Sequence, residues 1–367
     1  MRTMRILIAP DSFKGSLTSA EAALAMAHGV RSVMPDVEIT TMPLADGGEG
    51  TADVLASFQA LQTDCIDAVH DKHLLIESAR LIGLNLSSMQ GDVFECGSEV
   101  LGKAVLAALD AGQTDIRIAL GGSATVDGGL GLLLALGCRV LGADGLPVSA
   151  DLNGLMQVKV MDIQQLDQRL QHVHMTILSD VQNPLCGKDG AVRMYGAQKG
   201  IKVAQLHAVE LAMQNWADLC ETTFGMSVQT DMGTGAAGGL GFALRLLGGR
   251  VISGAEYVMQ AMAFERVASS VDWVMTGEGL SDTQTLHGKL PFMVAQASKK
   301  AGVNVVLISG DVMNEAELLE CFDAVVAARS EGVSLAEGMR QADRYLSEAA
   351  ASWMRSVLDG NCTMLTR

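Results

Sequence analysis

Several stretches of this sequence set lysines, acids and hydroxyls among glycines, and their types suggest anion and phosphate chemistry. APDSFKGSL (9–17) follows directly on the apolar run Arg5-Ile6-Leu7-Ile8. Ser12, Lys14, Ser16 and the N–H groups of a helix start could converge on one anion at the positive end of the helix dipole. A capped turn carrying a solvated lysine explains the same residues equally well. A P-loop is excluded, because Lys14 precedes Gly15 instead of following it.

ADGGEGT (45–51) places Asp46 and Glu49 around Gly47 and Gly48. Glycines let a backbone approach a ligand closely, and an acid there can hold magnesium or take a hydroxyl proton. A turn ahead of a favourable N-terminal Glu is the competing reading. GGSATVDGG (121–129) is more specific, crowding Gly121, Gly122, Ser123, Thr125 and Asp127 into one short loop. A bare turn rarely needs so many glycines, whereas a nest of N–H groups around phosphate or carboxylate oxygens does.

TGEGLSDTQTLHGK (276–289) brings Glu278, Asp282, His287 and Lys289 into one loop. Those residues are the parts of phosphoryl transfer: metal ligands, a base, and cations for developing negative charge. A solvated charged loop is the alternative. SDVQNPLCGKDGA (179–191) and GAQKG (196–200) add Asp180, Asn183 and Lys199, but Asn-Pro also starts ordinary turns. GTGAAGGLG carries Gly233, Gly235 and Gly238 at G-x-G-x-x-G spacing. The preceding MSVQTDM is not a buried strand, so close helix packing is the better reading, anion binding the second and dinucleotide binding a poor third.

The elements that must position these residues alternate. Arg5 to Ala9 reads as a strand, and Thr18 to Glu21 has capping-box spacing ahead of an alanine-rich helix that ends at Pro35. Val37 to Leu44 reads as a strand, Gly50 to Phe58 and Glu99 to Ala111 as helices. Ile116 to Leu120, His174 to Leu178 and the apolar parts of 271–279 and 303–311 are further strands that run into polar text. This order predicts an α/β fold with parallel sheets, whose ligands sit at the carboxyl ends of the strands. The late strands resemble the first in style, which suggests that both termini share one domain and the middle is inserted.

Composition narrows the partners. The net charge of −16 repels polyanions and argues against nucleic acid, although a small anion needs only a few local donors. Seven scattered cysteines without C-x-x-C spacing read as reduced, cytoplasmic and free of zinc. His172 and His174 lack a third ligand. No secretory or membrane-spanning segment is expected.

Taken together, APDSFKGSLTSAEAA, PLADGGEGTADVL, LGGSATVDGGLG, SDVQNPLCGKDGA with GAQKG, GTGAAGGLG and TGEGLSDTQTLHGK resemble the bacterial glycerate kinase family without a Walker A loop. The resemblance implies ATP- and Mg2+-dependent phosphorylation of D-glycerate, with the 2-phosphate favoured over the 3-phosphate. It implies a discontinuous flavodoxin- or Rossmann-like domain (1–62 and 255–367), an inserted α/β domain (63–254) and an active site in the cleft between them. The enzyme would be cytoplasmic, a monomer or homodimer, with no nucleic-acid or membrane partner.

Under that reading Lys14, Lys289, Asp180 and Asp282 are the catalytic candidates, the lysines on anionic oxygens and one of the two aspartates as base. Asp11, Ser12, Ser16, Gly47, Gly48, Gly121, Gly122, Ser123, Asn183, Lys199, Gly235, Gly238 and His287 are candidates for substrate or phosphate. Asp46, Glu49, Asp127 and Glu278 are candidates for the metal. Three departures stand out: a shortened connection near residues 59–76, a short segment after Gly310, and Glu99 where relatives carry glycine. They leave room for a kinase of another small hydroxy acid, or for a catalytically impaired nucleotide- or metabolite-binding homologue.

Overall fold

The computed structural model describes residues 3–62, 74–84 and 92–360. These form two compact units. One takes the chain up to Asp46, the stretch beginning at Asp53 and everything from Ala255; the other takes Gly47–Ala52 and the chain up to Gly254.

The first unit is built on five parallel strands in the spatial order Ala324–Ala327, Asn304–Ser309, Trp273–Thr276, Arg5–Ile8, Glu38–Thr41. Numbered along the chain within this unit and read from the other edge, the order is 2-1-3-4-5, that of flavodoxin-like sheets. Asn304–Ser309 is buried along its whole length, as a central parallel strand covered on both faces must be. The edge strand Glu38–Thr41 is mostly exposed and shorter than Val37–Leu44, the expected span. Helix Ser19–Val33 begins with the anticipated capping box: Glu21 N–H donates to Thr18 Oγ1 at 3.2 Å, and Thr18 N–H donates to the Glu21 carboxylate at 2.8 Å. Its alanine face packs with helix Ala342–Leu358 over the sheet, where Trp353 meets Trp273 edge to face at 5.1 Å.

The second unit holds four parallel strands in chain order, Leu74–Glu77, Asp115–Ala119, His174–Leu178 and Arg250–Ile252. Arg139–Gly142 and Val158–Asp162 form a separate antiparallel pair. The core closes around Trp216 of helix Val203–Phe224, whose indole N–H donates to the Gly128 carbonyl at 3.0 Å.

Leu74–Glu77, Arg250–Ile252 and Ala324–Ala327 are additional to the strands read from sequence. They are short and only partly buried, so no period-2 or continuous apolar signal builds up. The helix expected from Gly50 runs Thr51–Gln62. Most of the shortened connection near 59–76 lies outside the described residues.

Candidate active site

In the five-stranded sheet the chain order reverses between Arg5–Ile8 and Trp273–Thr276, which makes their carboxyl ends the switch point where ligands bind in such folds. Ala9 N–H donates to the Met275 carbonyl at 2.7 Å and Asp11 N–H to the Gly277 carbonyl at 2.9 Å, so the two loops leave the sheet side by side. Asp11 is buried and accepts the Ser12 N–H at 2.7 Å. Burial pushes its carboxyl well above the usual carboxylate range, and the neighbouring Asp46 carboxylate adds to the shift. The Lys14 ammonium lies 3.6 Å from Asp46 Oδ2, and that carboxylate raises the lysine above its ordinary value.

Glu278 is the centre of the second loop. Its Oε1 accepts the hydroxyls of Ser281 at 3.1 Å and Thr285 at 2.7 Å, while Oε2 takes the Lys289 ammonium at 3.3 Å. Ser281 also shares a 2.7 Å hydroxyl bond with Ser309 at the end of the adjacent strand. Lys289 stands immediately before helix Leu290–Lys300. Asp282 accepts the Gln284 N–H at 2.8 Å within its own turn, and His287 is exposed. Ser16 donates its hydroxyl to the Phe13 carbonyl at 3.0 Å. The 9–17 stretch is thus a closed, capped turn at its Ser16 end and a lysine among carboxylates at its Lys14 end.

In the second unit the strand ends gather Glu77, the Gly121–Gly129 loop and Asp180. The glycine turn at 47–48 presses on that loop: a Cβ on Gly121 would lie 2.3 Å from Gly48 Cα. Gly121 N–H donates to the Gly47 carbonyl at 3.3 Å. Glu77, which the sequence reading missed, accepts the N–H groups of Gly50 at 2.8 Å and Ala52 at 3.0 Å. It thereby caps helix Thr51–Gln62 and fixes the glycine turn ahead of it; Glu49 itself is exposed. Asp180 Oδ1 accepts the N–H of Gly254, where the next helix begins, at 3.1 Å. The Lys199 ammonium donates to the Thr125 carbonyl at 2.9 Å. Burial lowers that lysine to about 8, against the pull of Asp127.

Several of the expected site residues are already engaged by contacts within the protein. Asp127, expected to hold metal, is fully buried and accepts four donors: Ser98 N–H and Oγ–H, Gly129 N–H and Gly131 N–H. It ties the starts of helices Glu99–Asp110 and Leu130–Ala135 together, the end of a helix at which a carboxylate is favoured. Asn183 spends its amide on the Asp189 carbonyl and the Tyr195 hydroxyl. Gly235 and Gly238 serve packing, since a Cβ would come within 2.3 Å of the Pro184 carbonyl oxygen and 2.0 Å of the Thr125 carbonyl oxygen. No strand precedes the glycine triplet, which removes the dinucleotide reading. Within neither unit do three acid, His or Cys side chains among the described residues converge as a metal cluster. Glu99 is paired with Lys103 at 2.9 Å in the first turn of its helix, which offsets the charge that replaces glycine.

The model of the glycerate kinase family matches residues 6–358. The chain belongs to the glycerate kinase family. Glycerate kinase of Halalkalibacterium halodurans is 36% identical, over 96% of this chain and 99% of that one. Glycerate 2-kinase of Escherichia coli is 35% identical, over 96% and 100%. A crystal structure of a Salmonella typhimurium LT2 protein, provisionally named glycerate kinase 2, superposes with a TM-score of 0.75 at 33% identity, covering 98% of this chain and 100% of that one. The family assignment makes this chain a kinase with the mixed α/β fold seen here. No helix among the described residues is long and apolar enough to cross a membrane.

Proposed function

We propose that this chain transfers the γ-phosphoryl group of ATP to D-glycerate, with the 2-hydroxyl as acceptor. The observation that carries the reading is the pair of loops at the sheet switch point, where Lys14 faces Asp46 and Lys289 faces Glu278. Catalysis of phosphoryl transfer is mostly positioning and charge stabilisation, and two lysines held by buried or half-buried acids supply both. The name of the Escherichia coli relative, glycerate 2-kinase, favours the 2-phosphate.

Lys14 and Lys289 bind the phosphate oxygens in this reading. Asp11 and Asp46 are hard oxygen donors next to one another, the donor set that magnesium uses when substrate phosphates fill the rest of its octahedron. Bound there, magnesium would neutralise charge on the phosphates. Asp180 and Asp282 are the two base candidates, each accepting one backbone N–H. Ser12 and His287 flank the first unit's loops, and Lys199 brings a cation to the second unit's strand ends. The use of ATP and the free state of the described cysteines favour a cytoplasmic location.

An ADP-release assay over D-glycerate, tartronate, lactate and glyceraldehyde tests the substrate, and phosphorus NMR of the product tests the position. D-glycerate should give the highest kcat/KM and a 2-phosphate resonance. A higher kcat/KM for tartronate or lactate would replace glycerate as the substrate, and absence of ADP with every acceptor would leave a binding protein.

A further inference from the structure

Two buried hydroxyls in the second unit have no hydrogen-bond partner among the described residues: Ser78 Oγ, at 0% exposure, and Ser123 Oγ, at 3%. Folded proteins pair nearly all such atoms, because a buried donor left unmet loses its water and gains nothing in return. The two serines also belong to one small piece of structure. Ser78 directly follows Glu77, which sits opposite Ala119 in the parallel ladder, and Ser123 lies just beyond Ala119 on the neighbouring strand end. Gly83 and Ser123 are bridged antiparallel: Leu84 N–H donates to the Gly122 carbonyl at 2.9 Å and Ala124 N–H to the Ile82 carbonyl at 2.8 Å. The Ala79 methyl is 3.3 Å from the place a Cβ on Gly122 would occupy.

The surroundings suit an anion. The Glu77 carboxylate is occupied by the Gly50 and Ala52 N–H groups, with Arg80 3.6 Å away. Lys199 adds a second cation on the loop that carries Ser123, bonded there to the Thr125 carbonyl. Glycines at 47, 48, 121 and 122 bring bare backbone to the same strand ends. We infer that Ser78 and Ser123 are paired hydroxyl donors of an oxyanion site in the second unit, which takes a carboxylate or phosphate group. This rests on the glycerate kinase reading, which offers two sources of that chemistry: the carboxylate of glycerate and a phosphate of the nucleotide.

The test uses the full chain carrying Ser78→Ala, Ser123→Ala or both, with melting curves read ligand-free and with D-glycerate, ADP or inorganic phosphate, alongside steady-state kinetics. Removing an unmet buried hydroxyl should leave the ligand-free melting temperature at or above that of the wild type. Each single change should raise one KM by about ten- to a hundredfold, the worth of one hydrogen bond to a charged group. Loss of the glycerate shift with the ADP shift kept assigns the site to the carboxylate; the converse assigns it to phosphate. Unchanged ligand shifts and unchanged KM values in the double variant would overturn the inference, as would a ligand-free melting temperature several degrees lower in both single variants. If the wild type makes no ADP with D-glycerate, the kinase reading falls, while loss of the phosphate-induced shift in the variants would still support an oxyanion site.

Discussion

The carboxylate of Glu77, at the end of one strand, accepts the backbone N–H of Gly50 at 2.8 Å across 27 residues of chain. Its second oxygen takes the N–H of Ala52, so a single buried acid sets both the start of helix Thr51–Gln62 and the glycine turn before it. Glu77→Gln keeps the shape but turns an amide N–H toward one of these donors. The expected cost is about 1–3 kcal/mol in urea unfolding. Because the turn moves with it, a rise in KM for glycerate or ATP should accompany the loss; wild-type stability in the variant would show that the contact does not hold the turn.

Asp127→Asn should be more damaging. Four donors point at this carboxylate, three of them at one oxygen, and an amide N–H in that place leaves buried donors facing each other. A loss of about 3 kcal/mol or more is expected from denaturant titration. Magnesium should not rescue it, since the carboxylate joins two helix starts.

Gly121→Ala probes the approach of two loops. Its new methyl would lie 2.3 Å from Gly48 Cα, closer than packing allows, so the turns must separate. We expect about 1–3 kcal/mol of destabilisation and a fall in kcat/KM larger than the stability loss explains. Equal kcat/KM in a folded variant would remove the 47–48 turn from the functional site.

Lys199 makes stability depend on alkaline pH. Burial brings this ammonium down to about 8, whereas in the unfolded chain lysine keeps its ordinary value near 10.5. Between those values the unfolded chain binds more protons, so raising the pH from 7.5 to 9.5 stabilises the folded protein through this group. The penalty below pH 8 is on the order of 3 kcal/mol. Urea titrations of wild type and Lys199→Met at both pH values should show that gain only in the wild type; parallel behaviour would mean that the lysine is solvated.

Legibility in the sequence followed the range of the interactions. Strand His174–Leu178 and the Thr18–Glu21 capping box were readable because the residues that make them are neighbours in the chain. Asp127 was read as a metal ligand because a carboxylate in a glycine-rich loop looks the same whether it faces a cation or a helix start. Its partner Ser98 is 29 residues away, and nothing in the spacing shows it. Glu77 was missed for the same reason, lying in a four-residue strand with no motif of its own. At 233–238 the text before the glycines lacks the strand that a dinucleotide site needs, and the close approach of Gly235 and Gly238 to backbone oxygens appears only in the fold.

By itself the sequence determined the class of the fold, the local caps and turns, and the company of six polar stretches that marks the glycerate kinase family. These rest on hydrogen bonds and periodicities spanning a few residues, which composition and spacing encode directly. Only the tertiary structure decided which acids hold the chain together. A buried carboxylate is committed by the donors that the fold brings to it, as Ser98, Gly129 and Gly131 are brought to Asp127 and Gly50 and Ala52 to Glu77. The same physics leaves Ser78 and Ser123 without hydrogen-bond partners among the described residues, a state that no stretch of sequence could reveal.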